Sequence, residues 1–332
     1  MKLLFIMLQM TIMTYNVENM FDTRHDSLKN DYDFTPQSEK QWTQERYYKK
    51  INDVMRTIVS AGEDGEWPML VGLCEVENDF VLKSMTDGSR YRRLGYEYVH
   101  YESPDARGID VALLYRKDLF TPLLSRPVGV KLPDEKDTRD ILYVCGTTKD
   151  GTILHVIETH MPSRRGGAQA TEGNRMTVAE KIKLITDSIF ALDENAAIII
   201  MGDMNDNPDD KALHKTLNVM PTGGSIYENG RLYNLMWDGF PTTDAQEGSY
   251  YHSGEWEILD QIIVSGALLN GSLNIQASKK AEVFNPWWLK NKEGAPKRTY
   301  LGNTYQGGTS DHFPVKAEFY IFMLQIHFVH PF

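Results

Sequence analysis

The segment AIIIMGDMNDNP, at residues 197–208, brings a cluster of polar side chains to the end of an apolar run. Two carboxylates and two carboxamides follow the run within one short turn, at Asp203, Asn205, Asp206 and Asn207. A carboxylate accepts a proton and a carboxamide donates a hydrogen bond, so Asp203 beside Asn205 could position or activate one water molecule. The same four residues are also typical of a capped turn that leads into a helix near residues 209–217.

Side chains that could bind a metal ion or a phosphate also stand at the ends of other apolar runs. They are Asn16 in TIMTYN, Glu75 in MLVGLCE, His160 in ILHVIETH, Asp260 in EILDQIIV, and Asp311 and His312 in SDHFPV. Each has a purely local alternative: Glu75 could cap a helix that begins near residue 77, Asn16 could form an Asx turn, and His160 could be an ordinary surface histidine. Because strand ends are rigid and these alternatives would have to coincide several times, we favour one shared acidic site.

The donor atoms of this set indicate which cation it would bind. Asn, Asp and Glu supply oxygen, which suits Mg²⁺ or Mn²⁺ and also Ca²⁺, whereas Zn²⁺ prefers His and Cys. A zinc hydrolase built on His155, His160 and His312 is a weaker alternative, because the sequence contains no HExxH and no close histidine pair.

The elements that must hold these side chains are mostly strands. Apolar residues at helical spacing, beginning at Trp42, predict a long helix over 39–60, and the same pattern predicts a second over 169–192. Most other apolar runs are predicted strands, and the polar stretches 221–254 and 284–310 are predicted loops. Many strands with only two long helices favour two packed sheets with helices outside over a doubly wound parallel sheet.

Composition sets further limits on the function. The chain has 332 residues, 41% of them hydrophobic, and no linker-like segment, so we expect a single domain over residues 1–332 and a monomer. The net charge of −11 argues against a broad basic face for nucleic acid, so phosphates would have to be bound locally. Cys74 and Cys145 are predicted to be free thiols.

The two ends of the chain bear on its location. The N-terminal apolar run is predicted to be a first strand, because it lacks the cleavage site of a secretory signal. No run is long enough to predict a membrane span. The compartment stays open, with a cytoplasmic protein favoured over an exported one.

Taken in order, several motifs resemble the endonuclease/exonuclease/phosphatase superfamily, the metal-dependent phosphoesterases related to pancreatic deoxyribonuclease. They are TYNVENMFD, LCEVEN, RGIDVALLYR, ETHMPSRRGG, MGDMNDNP, LDQIIVS and SDHFPV, spread from about Thr14 to about Phe319. The segments RGIDVALLY and HMPSRRGG look most like the corresponding segments of poorly characterised bacterial members of this superfamily. The resemblance implies an α/β fold, a four-layer α/β sandwich in which two mixed β-sheets pack face to face, with the site at one edge.

The resemblance also implies roles for individual residues. Asn16 and Glu75 would bind the cation, His160 would contact the scissile phosphate, and Asp203 with Asn205 would position or activate the attacking water. Asp260 would orient His312, and Asp311 would help to hold the metal or His312. Arg139 matches a phosphate-contacting arginine of the family.

Further phosphate-binding candidates follow from charge alone, and they are Arg107, Arg164 and Arg165. The substrate would be a phosphoester, either a nucleic acid or a small phosphorylated molecule. Aromatic and basic residues that could select it occur in segments whose position the sequence does not give, at Arg231, Tyr250, Tyr251, Trp256, Trp287 and Trp288. We therefore expect a metal-dependent phosphodiesterase, nuclease or phosphatase, with a catalytically inactive phosphate- or nucleic-acid-binding protein on the same fold as the alternative.

Overall fold

Two large mixed sheets form the centre of the protein. The structure is a computed structural model that describes residues 2–63, 65–237 and 248–327. The first strands are β1 (Lys2–Met20), β2 (Leu70–Val76), β3 (Tyr96–His100), β4 (Asp110–Arg116), β5 (Phe120–Val128), β6 (Ile141–Thr148), β7 (Ile153–His160) and β8 (Ala197–Asp203). They are followed by β9 (Val219–Pro221), β10 (Leu232–Asn234), β11 (Tyr250–His252), β12 (Glu255–Glu257), β13 (Asp260–Ser265), β14 (Ile275–Val283), β15 (Tyr300–Leu301), β16 (Thr304–Tyr305) and β17 (Val315–His327).

The first sheet has the strand order β14-β17-β1-β2-β4-β3, and the second has the order β5-β6-β7-β8-β13-β10-β9. The pairs β1–β2, β7–β8 and β9–β10 are parallel, whereas the other pairs within these sheets are antiparallel. The N-terminal apolar run is part of the first strand, as predicted, because β1 pairs with β17 from Lys2↔His327 to Thr14↔Val315.

Helices cover the outer faces of both sheets. The helices are α1 (Gln44–Ser60), α2 (Asp79–Thr86) and α3 (Ala168–Phe190), and none of the helices in the described ranges is long and apolar enough to cross a membrane. The predicted start of the first helix at residue 39 is wrong. Thr43 caps α1 by accepting a hydrogen bond from the Arg46 amide, and Trp42 lies before the helix with its indole donating to the Phe21 carbonyl.

Three buried apolar layers follow from the alternation of side chains along the strands. In β8, Ile199 and Met201 pack in the layer between the two sheets, whereas Ile198 and Ile200 pack against α3. On the other sheet, Ile12 faces the central layer and Met13 faces α1. A strand buried on both faces must be apolar throughout, which explains the continuous run AIIIM. The predicted four-layer arrangement, with helices outside two packed sheets, is confirmed.

Short elements occupy the segments that were predicted as loops. Strands β10 and β11 lie within 221–254, and β15 and β16 form a hairpin within 284–310. A π-helical turn (Ala212–Leu217) lies where a helix was expected near residues 209–217. Residues 238–247 of the first predicted loop, and residues 328–332, lie outside the described residues. Cys74 and Cys145 are both free, as predicted.

Gly202 allows β8 to end against β7. Its φ of 138° is open only to glycine, and a Cβ there would lie 1.8 Å from the Thr159 carbonyl oxygen. A side chain at this position would therefore displace Asp203, the next residue.

We expect Gly202→Ala to lower the free energy of unfolding by at least about 2 kcal/mol, because both the clash and the backbone strain must be relieved. Gly173→Ala is the matched control. It lies within α3 with open space around its Cα, so alanine should instead raise that free energy by about 0.5–1 kcal/mol. Urea denaturation of both variants measures the two effects, and equal stabilities would contradict the close packing of β8 on β7 at Gly202.

Candidate active site

The strand register brings the polar strand ends to one edge of the sandwich. In the parallel pair β7–β8, His160 lies opposite Asp203, and in the antiparallel pair β8–β13, Asp260 also lies opposite Asp203. In the other sheet, β1 and β2 are parallel, with Asn16 opposite Cys74, the residue before Glu75. The carboxyl ends of parallel neighbours meet at the same edge, so both sheets contribute to one site.

An open cavity of about 760 Å³ lies at this edge. Most of the residues singled out in the sequence line it: Asn16, Glu75, Arg107, His160, Arg164, Arg165, Asp203, Asn205, Asp311 and His312. Asp260 and Arg139 do not line the cavity but contact residues that do.

Asp203 is at the centre of these contacts and is 2% exposed. Its Oδ2 accepts a hydrogen bond from Asn16 Nδ2 at 3.0 Å, and its Oδ1 accepts one from the Asn205 amide at 2.9 Å. Burial raises the pKa of Asp203 to about 7, although His312 and the two hydrogen bonds act in the opposite direction. A carboxyl group with a pKa near neutrality can take a proton from water and later release it.

His312 is held in its charged form. Its Nδ1 lies 2.6 Å from Asp260 Oδ2, and its Nε2 lies 3.9 Å from Asp203 Oδ2. Burial alone would lower the pKa of His312, but the carboxylates of Asp260 and Asp203 outweigh it and raise the pKa well above the usual value. Asp260 therefore orients the ring and stabilises the imidazolium.

His160 is held in its neutral form. Its Nε2 lies 3.5 Å from Asp203 Oδ2 and 3.9 Å from Glu75 Oε1. Burial, followed by the nearby cations Arg139 and Arg107, lowers the pKa of His160 well below the usual value. The two imidazoles beside the Asp203 carboxylate, His160 and His312, are thus one neutral and one charged.

The four polar residues of the turn after β8 divide into two pairs. Asp203 and Asn205 line the cavity, whereas Asp206 forms a buried ion pair with Arg175 at 2.5 Å. Asn207 accepts a hydrogen bond from the Ile258 amide through its Oδ1. The second pair therefore anchors the turn that positions the first, and Asn205 itself takes up a left-handed conformation with φ 50°.

The arginines differ in whether their guanidinium groups are bonded to other groups of the protein or are exposed to solvent. Arg139 pairs with Asp105 and donates to the carbonyls of His160 and Met161, so its contacts position the end of β7. Arg164 donates to the Asn205 carbonyl and pairs with Asp210 and Glu257, which commits its charge to the protein even though it lines the cavity.

Arg107 and Arg165 are the cavity arginines that are exposed. Among the residues that the structure describes, the one carboxylate paired with Arg107 is Asp105, at 3.8 Å. These two are better placed to reach a substrate phosphate than Arg139 or Arg164.

The donors on the Asn16 side of the cavity fit a divalent cation. Glu75 lines the cavity, and its Oε2 accepts a hydrogen bond from the Asn19 backbone amide, while its Oε1 lies 3.9 Å from His160 Nε2. Asn16 and Asp311 add further oxygen donors to the lining. Single ligand atoms of Asp203, Asp260 and His312 also lie within 4.8 Å of one another, but His312 Nδ1 is occupied by its hydrogen bond to Asp260. An oxygen-rich set of this kind suits Mg²⁺ or Mn²⁺.

The zinc alternative does not fit the positions of its histidines. His155 bonds to the Tyr143 hydroxyl and lines a separate cavity, whereas His160 and His312 line the cavity at the edge of the sandwich. The three rings are therefore not brought to one point.

One residue of the site, Ser310, was not found from the sequence, and another, Tyr250, was named there without a position. Ser310 donates to the Asn16 carbonyl and accepts from the His312 amide, so it links β1 to the segment that carries His312. Tyr250 bridges to His312 through the backbone, and their rings lie 4.7 Å apart. Ser310 has no local signal, because serine before a strand is common. Tyr250 lies in a polar stretch, so only the folded chain shows that it lies beside His312.

Comparison with known proteins agrees with this geometry. The model of the endonuclease/exonuclease/phosphatase family matches residues 11–323. The chain belongs to the endonuclease/exonuclease/phosphatase family. The name of this family covers nucleases and phosphatases, which hydrolyse phosphate esters. Membership therefore supports the assignment of this chain as a hydrolytic phosphoesterase of this general kind. No curated protein sequence matches the chain.

Solved structures of the family share its fold. A family protein from Bacteroides thetaiotaomicron is 16% identical, covers 96% of this chain and 97% of its own, and has a TM-score of 0.57. A mannosyl-6-phosphatase from the same organism is 18% identical, with coverages of 93% and 99% and a TM-score of 0.56. Humanised TDP2 from D. rerio is 14% identical, with coverages of 94% and 98% and a TM-score of 0.57. At these identities the likeness establishes the fold.

The raised pKa of Asp203 predicts a pH-dependent effect on stability. The folded pKa is about 7 and the unfolded value is about 3.9, so between them the folded protein holds a proton that the unfolded chain has released. The contribution of Asp203 to the free energy of unfolding therefore falls as pH rises through this window. Asparagine does not titrate, so the melting temperature of Asp203→Asn minus that of wild type should increase from about pH 5 to about pH 7 and then level off.

Thermal unfolding in chelator measures this difference, since a bound cation would favour the carboxylate. Exposed Asp87→Asn is the control, because its carboxylate is not buried. A difference for Asp203→Asn that stays flat across the whole range would contradict the assignment of Asp203 as a buried carboxyl group.

Proposed function

We propose that the protein is a metal-dependent phosphoesterase in which Asp203 and Asn205 position water and His312 stabilises the charge that develops on the phosphate. One observation carries this proposal. A buried carboxyl group with a pKa near neutrality lies between a neutral and a charged imidazole on the floor of an open cavity. Hydrolysis of a phosphate ester needs a proton acceptor for water and a cation beside the phosphate oxygens, and this arrangement supplies both.

The chemical step assigns a place to each proton. A water oxygen bonds to phosphorus as its proton passes to Asp203, and the bond from phosphorus to the leaving oxygen breaks on the opposite side. The leaving oxygen takes its proton from water that enters the open cavity, and the hydroxide formed is neutralised by the proton that Asp203 then releases, which restores the carboxylate. His312, kept charged by Asp260, stabilises the phosphate oxygens during this exchange.

Glu75, Asn16 and Asp311 would hold the cation, which supplies Lewis-acid stabilisation when bound. His160 would donate its Nε2 proton to a phosphate oxygen, because burial keeps the ring neutral. Arg107 and Arg165 at the mouth would neutralise the remaining charge of the ester.

Removal of divalent cations should abolish turnover. We expect EDTA to stop hydrolysis of bis(p-nitrophenyl) phosphate and excess Mg²⁺ or Mn²⁺ to restore it, because the oxygen donors around Glu75 suit these ions. Full activity in chelator would contradict the metal assignment. Binding of the ester without turnover at any metal concentration would instead favour the alternative, a binding protein on this fold.

Removal of the central groups should lower the rate with the fold intact. We expect His312→Ala and Asp203→Asn each to reduce kcat by at least about 10², the usual effect of losing a proton-transfer or charge-stabilising group. The matched control is His214→Ala, an exposed histidine in the π-helical turn outside the cavity. Initial rates with circular dichroism for each variant test this, and a variant near the wild-type rate would remove its residue from the mechanism.

A further inference from the structure

A second cavity, of about 610 Å³, lies in the segment between β14 and β17 and is rich in cationic side chains. We call it the basic groove and define it by Lys290, Lys292, Lys297 and Arg298, which all line it. Glu293 is the one carboxylate among its lining residues. In a chain with a net charge of −11, this local excess of positive charge indicates an anionic ligand.

The basic groove is adjacent to the catalytic cavity. Arg298 Nη2 lies 3.5 Å from Asp311 Oδ2, and Asp311 lines the catalytic cavity. Arg298 also interacts with the side chain of Tyr250, another residue of that lining. The Lys290 ammonium lies 5.9 Å from the ring centre of Phe313, the residue after His312. A ligand that occupies the groove could therefore continue directly into the site.

An exposed aromatic side chain precedes the groove in the chain: Trp287 lies three residues before Lys290, although it is not among the residues that line the groove. Trp287 opens the short 3₁₀ turn Trp287–Leu289, and Leu289 is buried, which fixes the turn against the core. Trp287 is 78% exposed, whereas its neighbour Trp288 packs under Arg56 at 4.6 Å. A large indole left in water on a fixed turn is suited to stacking against a ligand.

The form of the groove favours a chain of phosphates over a single one. A site for one phosphate would hold it with fixed, buried donors, whereas Lys292 is exposed and Lys290 and Lys297 are half-buried. Flexible ammonium groups along an open groove suit successive phosphates, and an exposed indole suits an unpaired base, which is how single strands are bound. A duplex would need a broader basic face than an acidic chain with one such groove offers.

We propose that the basic groove binds single-stranded nucleic acid whose chain continues from the phosphate in the catalytic cavity. This inference rests on the proposed phosphoesterase function and names the class of its substrate. The lysines neutralise phosphates outside the cavity, Arg298 marks the passage beside Asp311, and Trp287 stacks on a base.

Binding and turnover should be measured separately. Binding is followed by the fluorescence anisotropy of a labelled single-stranded oligonucleotide of about twelve nucleotides in EDTA, and turnover is followed with Mg²⁺ for that oligonucleotide and for bis(p-nitrophenyl) phosphate. The test variant is Lys292→Ala/Lys297→Ala. The control is Lys149→Ala/Lys215→Ala, two exposed lysines that line neither the groove nor the catalytic cavity.

We expect the groove variant to bind the oligonucleotide at least about tenfold more weakly at low salt. The slope of log K against log salt should become shallower by about 1.4, since each single-strand phosphate contact contributes about 0.7. The ratio of kcat/KM for the oligonucleotide to that for the small ester should fall by a similar factor. The control variant should match wild type in both measurements.

Trp287→Ala distinguishes nucleic acid from other polyanions. It should weaken oligonucleotide binding at least about fivefold without changing the salt slope, because stacking releases no counterions, and it should not affect inorganic polyphosphate. Unchanged oligonucleotide binding in this variant, wild-type binding in the lysine variant, or tighter binding of a duplex of the same sequence would each overturn the inference. Absence of small-ester turnover in wild type would instead refute the proposed function, whatever the binding result.

Discussion

The hydrogen bond from the Asn16 side-chain amide to the Asp203 carboxylate joins the two sheets at the edge where the site forms. The other contacts of the site depend on this bond. Asn16 ends the regular part of β1 and Asp203 ends β8, so this 3.0 Å contact requires that the two sheets pack with their strand ends level. The register of β8 then places His160 on one side of Asp203 and Asp260 on the other. A shift of β8 by one residue would turn Asp203 to the opposite face of its sheet, away from Asn16.

The site concentrates buried charge that is costly for folding. Burial raises the pKa values of Asp203 and of Glu158, whose carboxyl group lies between the sheets against the Cys74 thiol at 3.3 Å. Gly72 leaves room for Glu158, because a Cβ there would lie 1.9 Å from its Oε2. The apolar layer between the sheets offsets this cost, and its rigidity keeps the polar groups in place for catalysis.

The sequence predicted which polar side chains would meet at one edge of the sandwich better than it predicted the contacts that they make there. Polar residues after continuous apolar runs identified Asp203, Glu75 and His160, since a strand buried on both faces signals its own end. Charge alone could not show that Arg164 and Arg139 are committed to carboxylates and carbonyls, because their partners come from distant segments. The position of Trp42 matched the helical period by coincidence of spacing. Trp42 lies before the helix, where its indole donates a hydrogen bond to the Phe21 carbonyl.

The position of the isotopic label after hydrolysis in ¹⁸O-water tests the central claim most directly. Attack of a water positioned by Asp203 on phosphorus predicts that bis(p-nitrophenyl) phosphate gives p-nitrophenyl phosphate carrying one ¹⁸O, with unlabelled p-nitrophenol, as read by ³¹P nuclear magnetic resonance and mass spectrometry. Label in the p-nitrophenol would mean that the aryl C–O bond breaks and that water does not attack phosphorus. That result would contradict the roles of Asp203 and His312 in hydrolysis.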